Sequence, residues 1–244
     1  PTEFLEDFKS LYDVSERVLK GRKPEFVFSA LLPTITSRLV AAILTERGVP
    51  LYLHQHGGSY GEFPSHTGAA HEKRIATKYY TWGWRDRLEK VVPEKPHRLI
   101  ELKKQYSKIN RNPKEILVIA PHKSVVPDYI AGTDLDYYDE SVIKKYYESL
   151  DEENKKMVVV RLRRQHGYSP EEERKMLLLF PGAKLDTQKR SILQAYASAK
   201  EVVVMMPFST TAQECEYLGI PYRVLIQPCE EFMQIPSFIP ESYE

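Results

Sequence analysis

The sequence predicts an α/β fold built on parallel sheets with helices on both faces, and three observations carry that expectation. Short apolar runs rich in β-branched residues, such as 115–120, 157–162 and 201–206, lack strict alternation, as strands covered on both faces do. Segments of helical period alternate with these runs along the chain. Several strands end in glycine, histidine, arginine or hydroxyl residues, where ligands collect in open α/β sheets.

Each element follows in order. Phe4, Leu5, Phe8, Leu11, Tyr12 and Leu19 carry the i, i+3, i+4, i+7 spacing of an amphipathic helix over 4–19. After Pro24, residues 25–30 read as a buried strand, and 33–47 return to helical period with Gly48 as the stop. Residues 49–55 form the next strand and run into His56-Gly57-Gly58-Ser59-Tyr60-Gly61. The polar stretch 62–76 reads as irregular, 79–84 as an aromatic strand, and 85–97, with Pro93 and Pro96 among charges, as the linker between a domain of residues 1–96 and one of 97–244. Beyond it come a strand at 115–120, a helix at 141–150 and a strand at 157–162. A helix follows from Ser169-Pro170, with acids in its first turn, to about Leu179. A helix over 187–199, a strand over 201–206, a helix over 210–218 closed by Gly219 and a strand over 222–226 complete the pattern.

Composition narrows the function classes. The 244 residues hold 35 Lys and Arg against 34 Asp and Glu, a formal charge of +1, which gives no global support for a nucleic-acid binder. With 42% hydrophobic and 11% aromatic residues the chain can bury a core. No apolar run approaches the roughly 18 residues that cross a bilayer. Acids at Glu3, Glu6, Asp7, Asp13 and Glu16 exclude a basic signal-peptide start, and the two cysteines, Cys215 and Cys229, are too few for a disulfide framework. The expected setting is the reducing cytoplasm, and the start at Pro1 without a Met suggests a processed protein or a piece of a longer one.

Three constellations could carry chemistry. In His54-Gln55-His56-Gly57-Gly58-Ser59-Tyr60-Gly61-Glu62, glycines let backbone N–H groups approach an anion and a histidine can take a proton from a hydroxyl; the plain alternative is a tight turn with surface histidines. In Ser209-Thr210-Thr211-Ala212-Gln213-Glu214, a hydroxyl at the N-cap leaves helix N–H groups for a phosphate and Glu214 lies one turn in, within reach of a ribose; the alternative is a capping box answered by Glu214. Arg161 and Arg163, alternate residues at a strand end, could meet the charge of a leaving nucleotide or form a solvated basic loop. Histidines 54, 56, 66 and 71 with Glu62 and Glu72 match no standard zinc spacing, so no metal is expected.

Read together, Pro24-Glu25-Phe26-Val27-Phe28-Ser29, Glu46-Arg47-Gly48-Val49-Pro50-Leu51, Gln55-His56-Gly57-Gly58-Ser59-Tyr60-Gly61 and Thr81-Trp82-Gly83-Trp84 resemble the transferases of bacterial surface-carbohydrate biosynthesis first described in Leptospira. The resemblance runs on, more weakly, through Val158 to Leu162 and from Ser209-Thr210-Thr211 to Pro221, and more distantly to CDP-glycerol glycerophosphotransferases and capsule Kdo transferases. It implies a GT-B-like fold with an incomplete N-terminal and a more complete C-terminal Rossmann-like domain, the family members being much longer. It implies transfer of a sugar or polyol phosphate from a nucleotide-activated donor to a glycan acceptor such as capsule or lipopolysaccharide, without a cofactor, in the cytoplasm with peripheral contact at the inner membrane face. His56, directed into the cleft between the domains, would be the general base, and Gly57, Gly58, Ser59, Ser209, Thr210 and Thr211 would hold the donor phosphate. Glu214 would hold the ribose, and Arg161 with Arg163 the leaving-group charge. Where the family is expected to carry an aromatic or proline after Arg161-Leu162, this sequence has Arg163-Arg164. A nucleotide-sugar epimerase on the same fold and a non-catalytic nucleotide-binding or scaffold module are the alternatives.

Overall fold

The computed structural model describes residues 6–58, 60–61, 67–120, 140–162, 170–205 and 209–225, without the side chains of 67 and 170–172. Among these, two compact units are resolved: one contains 6–56 and 67–96, the other 57–58, 60–61 and 97–225. The glycine loop, which a division at 96/97 leaves with the first domain, is thus grouped with the second unit.

The first unit is a four-stranded, all-parallel sheet in the order β1-β2-β3-β4, with β1 Val27–Ser29, β2 Leu51–His54, β3 Lys78–Thr81 and β4 Val91–Pro93. Its helices are α1 Phe8–Leu19, α2 Ile35–Glu46 and α3 Thr67–Ile75. Helix α2 starts where Thr34 accepts from the Ser37 N–H at 3.0 Å while Ser37 Oγ accepts from the Thr34 N–H at 3.0 Å, a reciprocal cap. Leu19 of α1 and Ile43 and Leu44 of α2 are buried together against Val27 of β1. Two expectations change here. Part of the polar stretch 62–76 is helix α3, whose inner side buries Ala69 and Glu72, with Glu72 accepting from Tyr79 Oη at 3.4 Å. The proline-bearing linker holds β4, which tolerates Pro93 because it is an edge strand with no further ladder to serve.

The second unit is a five-stranded parallel sheet in the order β7-β6-β5-β8-β9, with β5 Glu115–Ile119, β6 Val158–Arg161, β7 Lys184–Asp186, β8 Ala199–Val204 and β9 Tyr222–Val224. Its helices are α4 His97–Tyr106, α5 Glu140–Ser149, α6 Glu152–Met157, α7 Pro170–Leu179, α8 Ile192–Ser198 and α9 Thr210–Leu218. Strand alternation sorts the core into two layers. Ile116, Val118, Val158, Val160 and Val203 pack with Ile143 of α5 and Met176 and Leu179 of α7. Leu117, Val159, Val202 and Val204 pack on the opposite face with Tyr106 of α4, Leu193 and Tyr196 of α8 and Cys215 and Leu218 of α9. Both faces are therefore covered, which is why the central strands read as unbroken apolar runs and the edges β7 and β9 keep Lys184 and Arg223. The expected helix over 187–199 is shorter: Gln188 takes a left-handed φ of 59°, its N–H bonded to Asp186 Oδ1 at 2.8 Å, and Ser191 caps a helix that begins only at Ile192.

From β5 the chain builds outward to β6 and β7, then returns to place β8 on the other side of β5. The sheet reverses its winding between β5 and β8, and the junction leaving β8 leads directly to Ser209 and α9. Beyond strand carboxyl ends at such a point, neighbouring connections diverge and leave a crevice.

Candidate functional site

Helix α9 begins as its sequence dictates. Ser209 is extended, and its Oγ accepts from the Thr211 N–H at 3.2 Å; Gly219 closes the helix at φ 67°, where a side chain would be strained. Glu214 does not answer this cap. Its Oε2 accepts from Tyr196 Oη at 2.7 Å and its Oε1 from Arg98 Nη2 at 3.0 Å. Tyr196 is fully buried. Burial and the adjacent Glu214 charge push its pKa up, so the phenol stays neutral and keeps its proton for the carboxylate. Arg98, Glu214 and Tyr196 thus form one chain of hydrogen bonds at the first turns of α9.

The glycine loop reaches the same helix start. The Gly58 N–H donates to Thr210 Oγ1 at 2.8 Å, and a Cβ built on Gly57 would lie 2.9 Å from that oxygen. Only glycine at 57 admits this approach without a shift. Two of the three constellations, 152 residues apart, are therefore joined inside the second unit.

The strand leading into the loop is fixed by Gln55. Its N–H continues the β2–β3 ladder to the Tyr80 carbonyl at 2.9 Å, and its fully buried Oε1 accepts from the Trp82 N–H at 3.0 Å and from Trp84 Nε1 at 2.7 Å. His56 follows, exposed, as the last residue before the chain enters the second unit at Gly57, whereas His54 is half-buried with its ring 6.3 Å from that of Phe28. The glutamine and the two tryptophans belong to separate motifs in the sequence, and this contact is what binds them.

Arg161 is held in an ion pair. It ends β6 beside Asp186 of β7, donates from Nη1 to Asp186 Oδ2 at 2.7 Å, and gives Nη1 and Nη2 to the Arg190 carbonyl at 3.2 Å each. Arg190 adds a bond from Nε to the same Asp186 oxygen at 3.0 Å and one from Nη2 to Glu115 at 2.7 Å. Burial alone would raise the Asp186 pKa; the hydrogen bonds from Arg190 and Arg161 outweigh it and hold the carboxyl below its usual range. The strand pairing has turned Arg161 into an ion-pair residue of the sheet edge. Ser59 and Arg163 lie outside the described residues, as do His66 and Cys229. Among the described residues no group of three or more His, Cys, Asp or Glu is placed to hold a metal ion, and no helix is long and apolar enough to cross a membrane.

Two Rossmann-type units with all-parallel sheets, the second carrying a capped helix start at its point of reversal, define the GT-B class of fold. The model of the family described as LIC12162 family transferase matches residues 1–229, and the chain belongs to that family of transferases. Among solved structures it is similar to UDP-N-acetylglucosamine 2-epimerase from Rickettsia bellii, at 14% identity and a TM-score of 0.54 over 87% of this chain and 59% of that one. It is also similar to MnaA of S. aureus in a co-structure with UDP, at 14% identity and a TM-score of 0.57 over 93% and 65%. At such identities the likeness concerns the fold, and the chain spans less than two thirds of either neighbour. No relative matches among curated proteins.

Proposed function

We propose that this protein moves a sugar, or a sugar-like polyol phosphate, from a nucleotide-activated donor to a growing bacterial surface polysaccharide, working in the cytoplasm. The observation that carries the reading is the Gly58 N–H to Thr210 Oγ1 hydrogen bond, which brings the glycine loop and the helix start to one place at the reversal of the second sheet. In this reading the Gly57-Gly58 loop, fastened to the helix start by the Gly58 N–H, lines the phosphate site, and Ser209, Thr210 and Thr211 at the positive end of α9 hold the donor phosphate. Glu214, paired with Arg98 and oriented by Tyr196, accepts from the ribose through lone pairs that its two protein partners leave over. Ser59 and Arg163 enter the proposal on sequence position alone, and Arg161 enters as a positioning residue that holds the end of β6.

The donor in this step is a nucleotide-activated sugar. His56 takes the proton of an acceptor hydroxyl, the oxygen attacks the anomeric carbon, and the bond from that carbon to the donor phosphate breaks with its electrons leaving on the nucleotide. Backbone N–H groups and the helix start stabilise the charge that develops there. The test is isothermal titration with UDP, CDP and CMP, followed by turnover with and without carbohydrate acceptors. UDP comes first because the S. aureus neighbour was solved with it. Binding of none of the three would sink the reading. The Rickettsia neighbour favours one second reading, an epimerase, which would convert a UDP-sugar without any acceptor.

A further inference from the structure

We propose that Arg98 is the cation of the nucleotide site, meeting the donor phosphate directly while Glu214 holds it by one arm. The inference rests on the nucleotide reading above and assigns to Arg98 a task that the sequence gave to Arg161 and Arg163. Arg98 stands in the first turn of α4, which packs against α9, and its Nη2 donates to Glu214 Oε1 at 3.0 Å. Its side chain is 56% exposed, against 7% for Glu214. Among the described residues its Nε and Nη1 have no protein partner. A guanidinium anchored at one corner and open along its other edge is prepared for the two-pronged grip that planar N–H donors make on a phosphate.

The electrostatics of the helix start require such a cation. Glu214 sits one turn into α9, so its buried negative charge opposes the attraction that the helix N-terminus exerts on an anion. Arg98 cancels that charge and adds donors of its own. Three other arginines of this unit are committed elsewhere: Arg161 and Arg190 to Asp186, and Arg223 to Glu201 on the edge strand.

Titrating UDP and uridine into the full chain separates phosphate recognition from recognition of the nucleoside. In Arg98→Ala the preference for UDP over uridine should fall about 10- to 100-fold, the worth of a charge-assisted hydrogen bond or two, because any loosening of Glu214 touches both probes alike while the phosphate contact is lost to UDP alone. Arg98→Lys should recover only part of it. The double variant Arg98→Ala with Glu214→Gln decides between direct contact and simple neutralisation: direct contact leaves the UDP preference low, whereas its return would show that Arg98 only offsets Glu214 and would overturn the proposal. Equal losses for UDP and uridine, or no loss for either, overturn it too. A wild-type chain that binds neither probe refutes the nucleotide reading itself, an outcome distinct from all of these.

Discussion

Replacing Gly57 with alanine tests the junction of loop and helix most directly. Gly57 is not among the residues with positive φ, so its backbone accepts alanine; the obstacle is space, since the new Cβ would lie 2.9 Å from Thr210 Oγ1, well inside ordinary contact at 3.4 Å. Two escapes exist. Forcing loop and helix apart costs about 1–3 kcal/mol, the usual range for overpacking. Turning the Thr210 side chain away forfeits the Gly58 bond, a net loss of about 0.5–1.5 kcal/mol, and threonine has a second rotamer available in helices. The cheaper route wins, so Gly57→Ala should cost about 1 kcal/mol. Thr210→Ala should cost about the same for the same lost bond. In the double variant the new methyl no longer meets an oxygen, so the total should stay near that of Thr210→Ala alone, a coupling of about 1 kcal/mol. Urea titrations followed by far-UV circular dichroism measure this; both tryptophans, Trp82 and Trp84, lie in the first unit, so their fluorescence would report the other sheet. UDP affinity should weaken in each single variant. Strictly additive costs would refute the argument, because they would mean that alanine at 57 and the hydroxyl at 210 never meet.

Further outcomes follow from the same geometry. Asp186→Ala strands Arg161 in a buried site and should cost about 3–5 kcal/mol in urea unfolding. The folded Asp186 pKa lies below its unfolded value, so its stabilisation is complete above the ordinary carboxylate value of about 3.9 and drains away as pH falls through the folded value. Stability measured from neutral pH down to about pH 3 should show this acid limb in the wild type and a reduced one in Asp186→Asn. Tyr196→Phe removes the phenol that orients Glu214 and should weaken UDP and uridine alike, by about 1.5–3 kcal/mol, with calorimetry as the check. His56→Ala should lower turnover about 10²- to 10⁴-fold while UDP binding persists; wild-type turnover in that variant would return the loop to the role of a turn.

The parts of the fold that were legible are those whose burial is written in composition. Strands β5, β6 and β8 are covered on both faces, and nothing but valine, isoleucine and leucine serves at most of their positions. The edges left weaker traces. β4 ends in a proline that only an edge permits, and β7 is three residues long, one of them Lys184. Helix α4 does carry a signal, Leu99, Leu102 and Tyr106 on one side, but Pro96 before it and the basic residues among them obscure its period. The site divides in the same way. Glycines after a strand and hydroxyls before a helix could be recognised one by one. Their contact across 152 residues, the Gln55 clamp on two tryptophans, and the Asp186 that strand register sets beside Arg161 are products of topology.

That last pairing bears on how much Arg161 can offer a ligand. An arginine can serve a ligand only if its existing bonds are cheap to loosen or leave donors unused. Arg161 and Asp186 are 10% and 4% exposed, and separating such a pair costs about 3–5 kcal/mol, more than a new phosphate contact of about 1.5–3 kcal/mol returns. Arg98 pairs with a buried carboxylate too, but from the solvent side and through a single nitrogen. Its remaining guanidinium donors are unused, so Arg98 can turn its open edge to an anion while it keeps the Glu214 bond. Strand alternation read from β6 alone puts Arg161 and Arg163 on one side and gives them no partner. What it lacked was the neighbouring strand, and in a parallel sheet that neighbour arrives 25 residues later.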